Sequence, residues 1–335
     1  MNGWMRWLAS IFIIGALPGS CVVAGEGTRR VLIVCGHPGN LEYRQLYAET
    51  LDQIQTALTS SWQVSPEEIR MVWGTSSRPK NENRAAAADR VSEKSPPGAI
   101  AENASSSMKE TLLAALEHPA TCDDLRAAVQ ELQQKLKPED ALWVIIIGHA
   151  SFDGRHAWLN MAGPDPNESE LAKVLQELAC RECVFWLTTS LSGHFVHPLA
   201  KPGRILISAT DTTGEFESTL FSAAMAEVLL HPPAQKELDL DQNGTLSLLD
   251  LYLAICREVI QRYADQSLLL TEHAQLEDNG DGRGREVQQY YFPEELGGRL
   301  RPGAKPAPRL GQVDGARSAK IPLSLQRSTP KGDLP

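Results

Sequence analysis

The sequence lacks several features that would assign it to a familiar class of protein. It has only six cysteines in 335 residues, too few for the disulfide framework that holds small secreted domains together. Beyond the N-terminus, no apolar run approaches the roughly 20 residues that span a bilayer. The formal net charge of −10 is also the wrong sign for binding phosphate backbones. The composition therefore indicates a globular protein whose partners do not include nucleic acid.

The N-terminus has the pattern of a secretory signal peptide. A cationic residue precedes the apolar run at 7–17, and small residues follow up to Ala24. This arrangement predicts export, to the periplasm, the cell envelope or the medium, with residues 1–24 removed and no transmembrane helix left. Cys21 leaves lipidation open as the alternative, although Pro18 stands where a lipoprotein signal has an aliphatic residue.

Apolar runs of strand length alternate with helix-length segments through most of the chain. Continuous apolar runs are typical of strands that are covered on both faces. They lie at residues 30–36, 141–148, 184–187 and 203–209. Strands separated by helices predict an α/β fold, here a three-layer sandwich around a mostly parallel sheet.

Two polar turns after predicted strands carry residues suited to catalysis. His149 follows one strand directly, and Ser190 lies a few residues into the turn after the next. If those strands are neighbours, both side chains emerge at one edge of the sheet, where open α/β proteins bind ligands. A nucleophile beside an imidazole is the arrangement that acyl transfer needs. Nearby glycines, among them Gly148 and Gly193, would let amides point inward as oxyanion donors.

From about Arg30 to Leu230 the chain resembles the caspase-like, legumain-type cysteine peptidases. In that family one strand ends in a His-Gly pair, and the next ends in a short turn with the catalytic cysteine, as in E-A-C-x-S-G. This chain has GHASFDG and TTSLSG. The resemblance implies a caspase-like sheet, with His149 at the position of the catalytic histidine and Ser190 at that of the cysteine.

Three departures from the family pattern bear on the chemistry. Ser190 replaces the thiol, Ala150 replaces the glycine after the histidine, and Thr188 replaces an acidic residue of the legumain specificity pocket. A serine hydroxyl needs a well-oriented base, whereas a thiol is partly ionised near neutral pH. We therefore predict an inactive or degenerate site that binds a peptide or protein. The alternatives are an active hydrolase, with His149 as the base for Ser190, and a structural envelope protein.

The resemblance also implies two segments of a substrate pocket. Tyr43-Arg44 is similar to the N-Y-R segment from which legumain-type peptidases take a basic specificity residue. The stretch ATDTTGEFE, which follows a later strand, lies where the family builds another pocket wall. Arg44 is therefore a candidate substrate-binding residue, and Asp211 and Glu215 are candidates to receive a cationic group.

Residues 239–251, DLDQNGTLSLLDL, have the pattern of an EF-hand calcium loop. Oxygen ligands fall on alternate residues, and Gly244 stands at the position of the sharp turn. The candidate ligands are Asp239, Asp241, Asn243, Thr245 through its carbonyl, Ser247 and Asp250. The pattern predicts Ca²⁺, and the short reach of Asp250 in place of glutamate makes Mg²⁺ the alternative.

The segment EDNGDGRG at 277–284 repeats part of this pattern. Glu277, Asn279 and Asp281 precede Gly282, but the twelfth position is Gln288, which supplies no carboxylate. The sequence leaves open whether this is a half-site or a polar turn.

The composition divides the chain into four parts. Residues 296–335 contain eight lysines or arginines and two aspartates without periodicity, which predicts a disordered basic tail. The predicted parts are a signal peptide (1–24), a caspase-like α/β domain (25–230) with an exposed flexible loop at 74–102, an EF-hand-like helical segment (231–295) and the tail (296–335).

Overall fold

The computed structural model describes residues 27–73, 120–213, 218–292 and 314–323. The predicted signal peptide, the predicted loop at 74–102 and Glu215 lie outside these described residues. The strands are β1 (Arg29–Cys35), β2 (Ile69–Val72), β3 (Ala141–Ile147), β4 (Ala150–Phe152), β5 (Ala157–Leu159), β6 (Glu182–Leu187), β7 (Arg204–Ser208) and β8 (Gln275–Glu277). The helices are α1 (Leu41–Ser60), α2 (Cys122–Lys135), α3 (Glu168–Leu175), α4 (Gly193–Leu199), α5 (Phe221–Leu230), α6 (Gln235–Leu238) and α7 (Leu248–Asp265).

Six strands form the central sheet, in the order β2-β1-β3-β6-β7-β8. All neighbouring pairs are parallel except β7 and β8, which are antiparallel. Strands β4 and β5 form a separate antiparallel hairpin. The predicted α/β class with a mostly parallel sheet is confirmed. Strand β3 pairs with β6, and Ile146 lies beside Leu187, so the turns that follow these two strands leave the sheet side by side.

Helices cover both faces of the sheet and make it the middle of three layers. Along β1, Val31 and Ile33 face the core formed with α1, α5 and α7. Leu32 and Val34 face the opposite core, formed with α2, α3 and α4. All residues of β3 and β6 are buried. Burial on both faces explains why these strands are continuous apolar runs in the sequence.

The starts of two helices are fixed by polar caps. Thr121 caps α2 and forms a reciprocal capping box with Asp124. Ser247 caps α7 and forms the same box with Asp250. Each box satisfies main-chain N–H groups that the first helical turn leaves without partners. The second box matters for function because it ties a candidate metal ligand to the start of a helix.

Ten residues of the predicted disordered tail are structured, which corrects that prediction for them. We call residues 314–323 the C-terminal strap. The Asp278 carboxylate accepts hydrogen bonds from the N–H groups of Gly315 (3.0 Å), Arg317 (3.0 Å) and Ser318 (2.8 Å), and from the Ser318 hydroxyl (2.9 Å). A buried carboxylate distant in sequence orders the strap, so no periodicity within the tail announces it.

Two main-chain hydrogen bonds also join the strap to the predicted calcium loop. The Leu248 N–H donates to the Ile321 carbonyl, and the Leu323 N–H donates to the Leu246 carbonyl, both at 2.9 Å. Leu246 is the apolar eighth residue of the predicted calcium loop. The strap is therefore attached to this loop at one end and to Asp278 at the other.

Removal of the Asp278 carboxylate should release the strap. In Asp278→Ala, three N–H groups and a hydroxyl lose an ionised acceptor, and we expect a loss of about 3 kcal/mol in unfolding free energy. Limited proteolysis should then cut after Arg317 or Lys320 faster than in the wild type. Asp123→Ala, which removes a largely exposed carboxylate, is the control and should stay within about 0.5 kcal/mol. Unchanged cleavage in Asp278→Ala would show that the strap is held by other contacts.

Candidate functional site

The turns after β3 and β6 bring His149 and Ser190 to the same edge of the sheet. Ser190 is only 2% exposed. Its hydroxyl donates to the Ala150 carbonyl (3.3 Å) and accepts from the Ala150 N–H (3.2 Å). Both hydrogen-bonding functions of the hydroxyl are thus used by the main chain of the neighbouring turn. The side chain links the two turns and does not project into the cleft as a nucleophile would.

The imidazole of His149 lies against two tyrosines of α1. Its ring centroid is 4.4 Å from that of Tyr43, in an edge contact, and 5.7 Å from that of Tyr47. Burial lowers the pKa of His149, so the imidazole is neutral at neutral pH. Within the described ranges, it forms no hydrogen bond to the Ser190 hydroxyl, whose partners are both on Ala150. The structure brings the two residues to neighbouring turns but does not pair them.

Asp153 is a turn residue and does not orient His149. Its carboxylate accepts from the N–H groups of Arg155 (2.8 Å) and His156 (2.7 Å) and from the Trp158 indole (3.0 Å). These bonds, that from the His156 N–H first, lower the pKa of Asp153. They close the β4–β5 hairpin, a common use of Asp-Gly.

The polar residues around Ser190 are also engaged in holding turns together. The Thr188 hydroxyl donates to the Ile146 carbonyl (2.8 Å). The Ser192 hydroxyl lies 3.2 Å from that of Thr210 and accepts from the Thr210 N–H at 3.1 Å. Leu191 has a φ of 55°, the left-handed region that non-glycine residues rarely occupy. The turn is therefore tightly constrained, and the hydroxyls of Thr188, Ser190 and Ser192 bond to the protein itself.

The structure places two of the three predicted pocket residues. Arg44 is half-buried in the first turn of α1. The Asp211 carboxylate accepts from the N–H (2.6 Å) and the hydroxyl (2.5 Å) of Thr213 in its own turn. Glu215 lies outside the described residues. A substrate pocket formed by these side chains stays a prediction.

Cys35 is unsuited to replace Ser190 as nucleophile. Cys35 is buried at the end of β1, and burial raises its pKa to about 12. Cys180 and Cys183 are both free thiols. A thiol with a raised pKa is unreactive because the thiolate is the nucleophile. Cys35 is therefore a small core residue, as its place in an apolar strand predicts.

The predicted calcium loop gathers three carboxylates. Asp239, Asp241 and Asp250 each offer an oxygen, and these atoms lie within 4.8 Å of one another. Asp250 is fully buried in the first turn of α7. Across the described part of the chain, no basic side chain forms an ion pair with any of the three. Burial, followed by the charges of Asp250 and Asp239, raises the pKa of Asp241.

Main-chain hydrogen bonds curl the loop around these carboxylates. The N–H groups of Asn243 (3.0 Å) and Gly244 (2.9 Å) donate to the two oxygens of Asp239. Gly244 has a φ of 85°, which favours glycine and explains its place at the turn. The Thr245 N–H donates to the Asn243 side-chain oxygen at 2.8 Å. Of the six predicted ligands, the structure thus clusters three carboxylates, with Asn243 hydrogen-bonded among them.

Ser247 caps α7, and its role as a metal ligand stays a prediction. Its hydroxyl donates to Asp250 Oδ2 at 2.6 Å, and its N–H donates to the same oxygen at 2.9 Å. The other Asp250 oxygen accepts from the N–H groups of Leu240 (2.8 Å) and Asp241 (3.2 Å). Ser247 therefore holds Asp250 in place from the cap of α7.

Tyr291 lies beside the loop and was not among the predicted site residues. Burial, followed by the charges of Asp241 and Asp250, raises its pKa to about 12. Its hydroxyl is buried and has no hydrogen-bond partner among the residues described. The only signal in the sequence was the aromatic run that contains it, because its position depends on the fold.

Fold and site together define an α/β protein with a mostly parallel sheet and an acidic loop beside α7. The topology is compatible with a caspase-like α/β fold. No protein-family model matches the chain, and no curated protein matches its sequence. None of the described helices has the length and apolarity to cross a membrane.

Proposed function

We propose that this chain is an exported calcium-binding protein with a caspase-like domain that lacks peptidase activity. In this proposal the cleft beyond β3 and β6 binds a peptide or protein without cleaving it. The observation that carries the proposal is the cluster of Asp239, Asp241 and Asp250 with no basic partner in the described residues.

Calcium is the ligand that best suits this cluster. Like charges at this separation repel one another, so a bound cation would stabilise the cluster. Carboxylate and amide oxygens are hard ligands, and the order of the ligands follows that of EF-hand loops. Outside the cell calcium is abundant, so modest affinity is sufficient. Mg²⁺ demands tighter octahedral geometry and is the alternative that the binding experiment distinguishes.

The position of the three carboxylates indicates what calcium would do. Asp239 and Asp241 lie in the loop that enters the helical segment, whereas Asp250 belongs to α7. A shared cation would fix this loop to the helix. Since Leu246 and Leu248 hold the strap through the main chain, the same contact would stabilise the C-terminus. The role is structural, with α7 packed on the sheet core.

The buried hydroxyl of Ser190 supports the absence of peptidase activity. General-base catalysis needs the base within hydrogen-bond reach of the proton it removes. Here that proton is directed to the Ala150 carbonyl, and the imidazole lies between tyrosines. Activation of Ser190 would require both turns to rearrange.

Calorimetry tests the calcium proposal. Titration of the purified mature protein with Ca²⁺ and, separately, Mg²⁺ should show tighter binding of Ca²⁺. Asp239→Ala should lose the binding step that belongs to this loop, because both its ligand oxygens and its loop-closing bonds disappear. Asp265→Ala removes an exposed aspartate from the far end of α7 and should bind as the wild type does. An unaltered isotherm in Asp239→Ala would refute the assignment.

A serine-reactive fluorophosphonate probe and a mixed peptide library test the cleft. We expect no labelling of the wild type and no cleavage, but retention of peptides on the immobilised protein. Labelling that disappears in Ser190→Ala would establish the active-hydrolase alternative. Failure to retain any peptide, together with no labelling, would favour a structural envelope protein.

A further inference from the structure

The segment that follows β8 has the same backbone shape as the calcium loop. In the calcium loop, Gln242 and Gly244 have φ values of 56° and 85°. At the equivalent fourth and sixth positions counted from Glu277, Gly280 and Gly282 have φ values of 83° and 74°. We call residues 277–284 the second loop.

The hydrogen bonds inside the two loops also correspond. In the calcium loop the fifth N–H donates to Asp241 at the third position (3.1 Å). In the second loop the N–H of Asp281 donates to Asn279 at the third position (2.8 Å). The seventh N–H donates to the fifth side chain at 2.8 Å in both loops. Similar loop geometry alone does not make a metal site, since polar turns share it.

A buried carboxylate oxygen without a partner points to a ligand in the second loop. Glu277 is 0% exposed. Its Oε1 accepts from the Gly280 N–H, so the carboxylate faces into the loop. Its Oε2 is buried and has no hydrogen-bond partner among the described residues. A buried carboxylate oxygen left without a hydrogen-bond partner is costly, and a cation held in the loop would remove that cost.

Arg283 lies within the loop and Arg285 directly after it, and neither forms an ion pair with Glu277 among the described residues. Arg285 contacts Asp314 at 2.9 Å and Asp281 at 3.5 Å. Residues 277–284 carry three carboxylates against one arginine, so the loop keeps excess negative charge. Gln288 at the twelfth position is turned to the core, where it bonds to Tyr252 and to the Ala274 carbonyl. It takes no part in the loop.

We propose that the second loop is a separate divalent-cation site with Glu277, Asn279 and Asp281 as its side-chain ligands. Their hard oxygens select Ca²⁺ or Mg²⁺ over softer metals. Because no carboxylate stands at the twelfth position, the second loop should bind the cation more weakly than the calcium loop does, with a Kd of about 10⁻⁴–10⁻³ M. The proposal does not depend on occupation of the first loop. Asp278, next to Glu277, holds the strap, so the strap joins both cation sites.

Calcium titration by calorimetry and by equilibrium dialysis with ⁴⁵Ca distinguishes the two sites. The wild type should bind two calcium ions, and the double variant should bind none. Asp239→Ala should bind one ion with low affinity, and Glu277→Gln should bind one ion with higher affinity. Glu286→Gln, a nearby glutamate outside the loop, is the matched control and should bind two. Circular dichroism without calcium should show Glu277→Gln folded as the wild type, and Asn279→Ala supplies an independent variant with at least tenfold weaker binding at the second site.

One bound ion in the wild type, lost completely in Asp239→Ala and retained in Glu277→Gln, would overturn this proposal. The negative charge of the second loop would then be balanced by arginine, with Arg285 paired to Asp281. In the opposite result, Glu277→Gln would lose the bound ion and Asp239→Ala would retain it. That result would refute the site in the calcium loop and support the site in the second loop. Two ions in Glu277→Gln and in Asn279→Ala would also overturn the assignment of ligands.

Discussion

Asp250→Ala is expected to destabilise the protein by about 3 kcal/mol without calcium and by more with it. The Asp250 side chain is fully buried and accepts four hydrogen bonds, two of them from Ser247. Loss of the cap contributes about 1 kcal/mol, and the remaining buried donors contribute about 1–3 kcal/mol. Relief of the repulsion from Asp239 and Asp241 offsets part of this loss.

Calcium should widen the difference between wild type and Asp250→Ala. A ligand at 100 times its Kd stabilises the folded state by about 2.7 kcal/mol, and only the wild type retains the loop that would bind it. Urea unfolding with and without calcium measures both parts. The matched variant is Asp241→Asn, whose carboxylate bonds, within the described ranges, to Asn243 alone.

Asp241→Asn should lose the calcium-dependent part while its calcium-free stability changes by less than about 1 kcal/mol. Its side chain is half-buried, and its removal lessens the charge repulsion. If both variants were destabilised equally without calcium, the distinct role of Asp250 at the start of α7 would be wrong.

The sheet and the clustering of Asp239, Asp241 and Asp250 were predictable because their signals are local. Strand β3 is a continuous apolar run, and the loop ligands alternate within a dozen residues. The side-chain arrangement at Ser190 was not predictable, because it depends on contacts between distant segments. His149 lies against Tyr43 and Tyr47, which come from the helix after β1. The neighbouring turn, through Ala150, takes both bonds of Ser190.

The ordered conformation of the strap was also not predictable from its own residues, because it depends on a contact with a distant segment. Its composition is that of a solvated basic tail, and composition predicts disorder when a segment cannot bury enough apolar surface. Asp278, far away in the sequence, supplies an acceptor for four donors of the strap. Long-range acceptors of this kind leave no periodic pattern in either segment.

Gly193→Ala is expected to be the most damaging small substitution near Ser190. A Cβ at this position would lie 2.4 Å from the Asp211 carbonyl carbon and 2.8 Å from the Thr210 oxygen. Both are main-chain atoms, which cannot move aside as a flexible side chain can. We expect a loss of about 3 kcal/mol or more, with separation of the turns that Ser192 and Thr210 join.

Gly154→Ala is the matched control for this prediction. Gly154 has a φ of 91° and nothing within 4 Å of the added Cβ, so its substitution costs only backbone strain, about 1 kcal/mol. Thermal and urea unfolding compare the two variants directly. Equal stability of the two would show that the turns after β6 and β7 are not in close contact.

The predicted result for Gly193→Ala also gives a packing explanation for the Ser192-Gly193 pair, which resembles the S-G of the peptidase motif. The glycine that matches the peptidase motif is required here because another turn packs against it, whatever the chemistry of Ser190. An S-G pair can therefore be required here for packing alone, because the main chain of Thr210 and Asp211 lies against Gly193. A stable Gly193→Ala variant would remove this explanation and return the glycine to a role in the cleft.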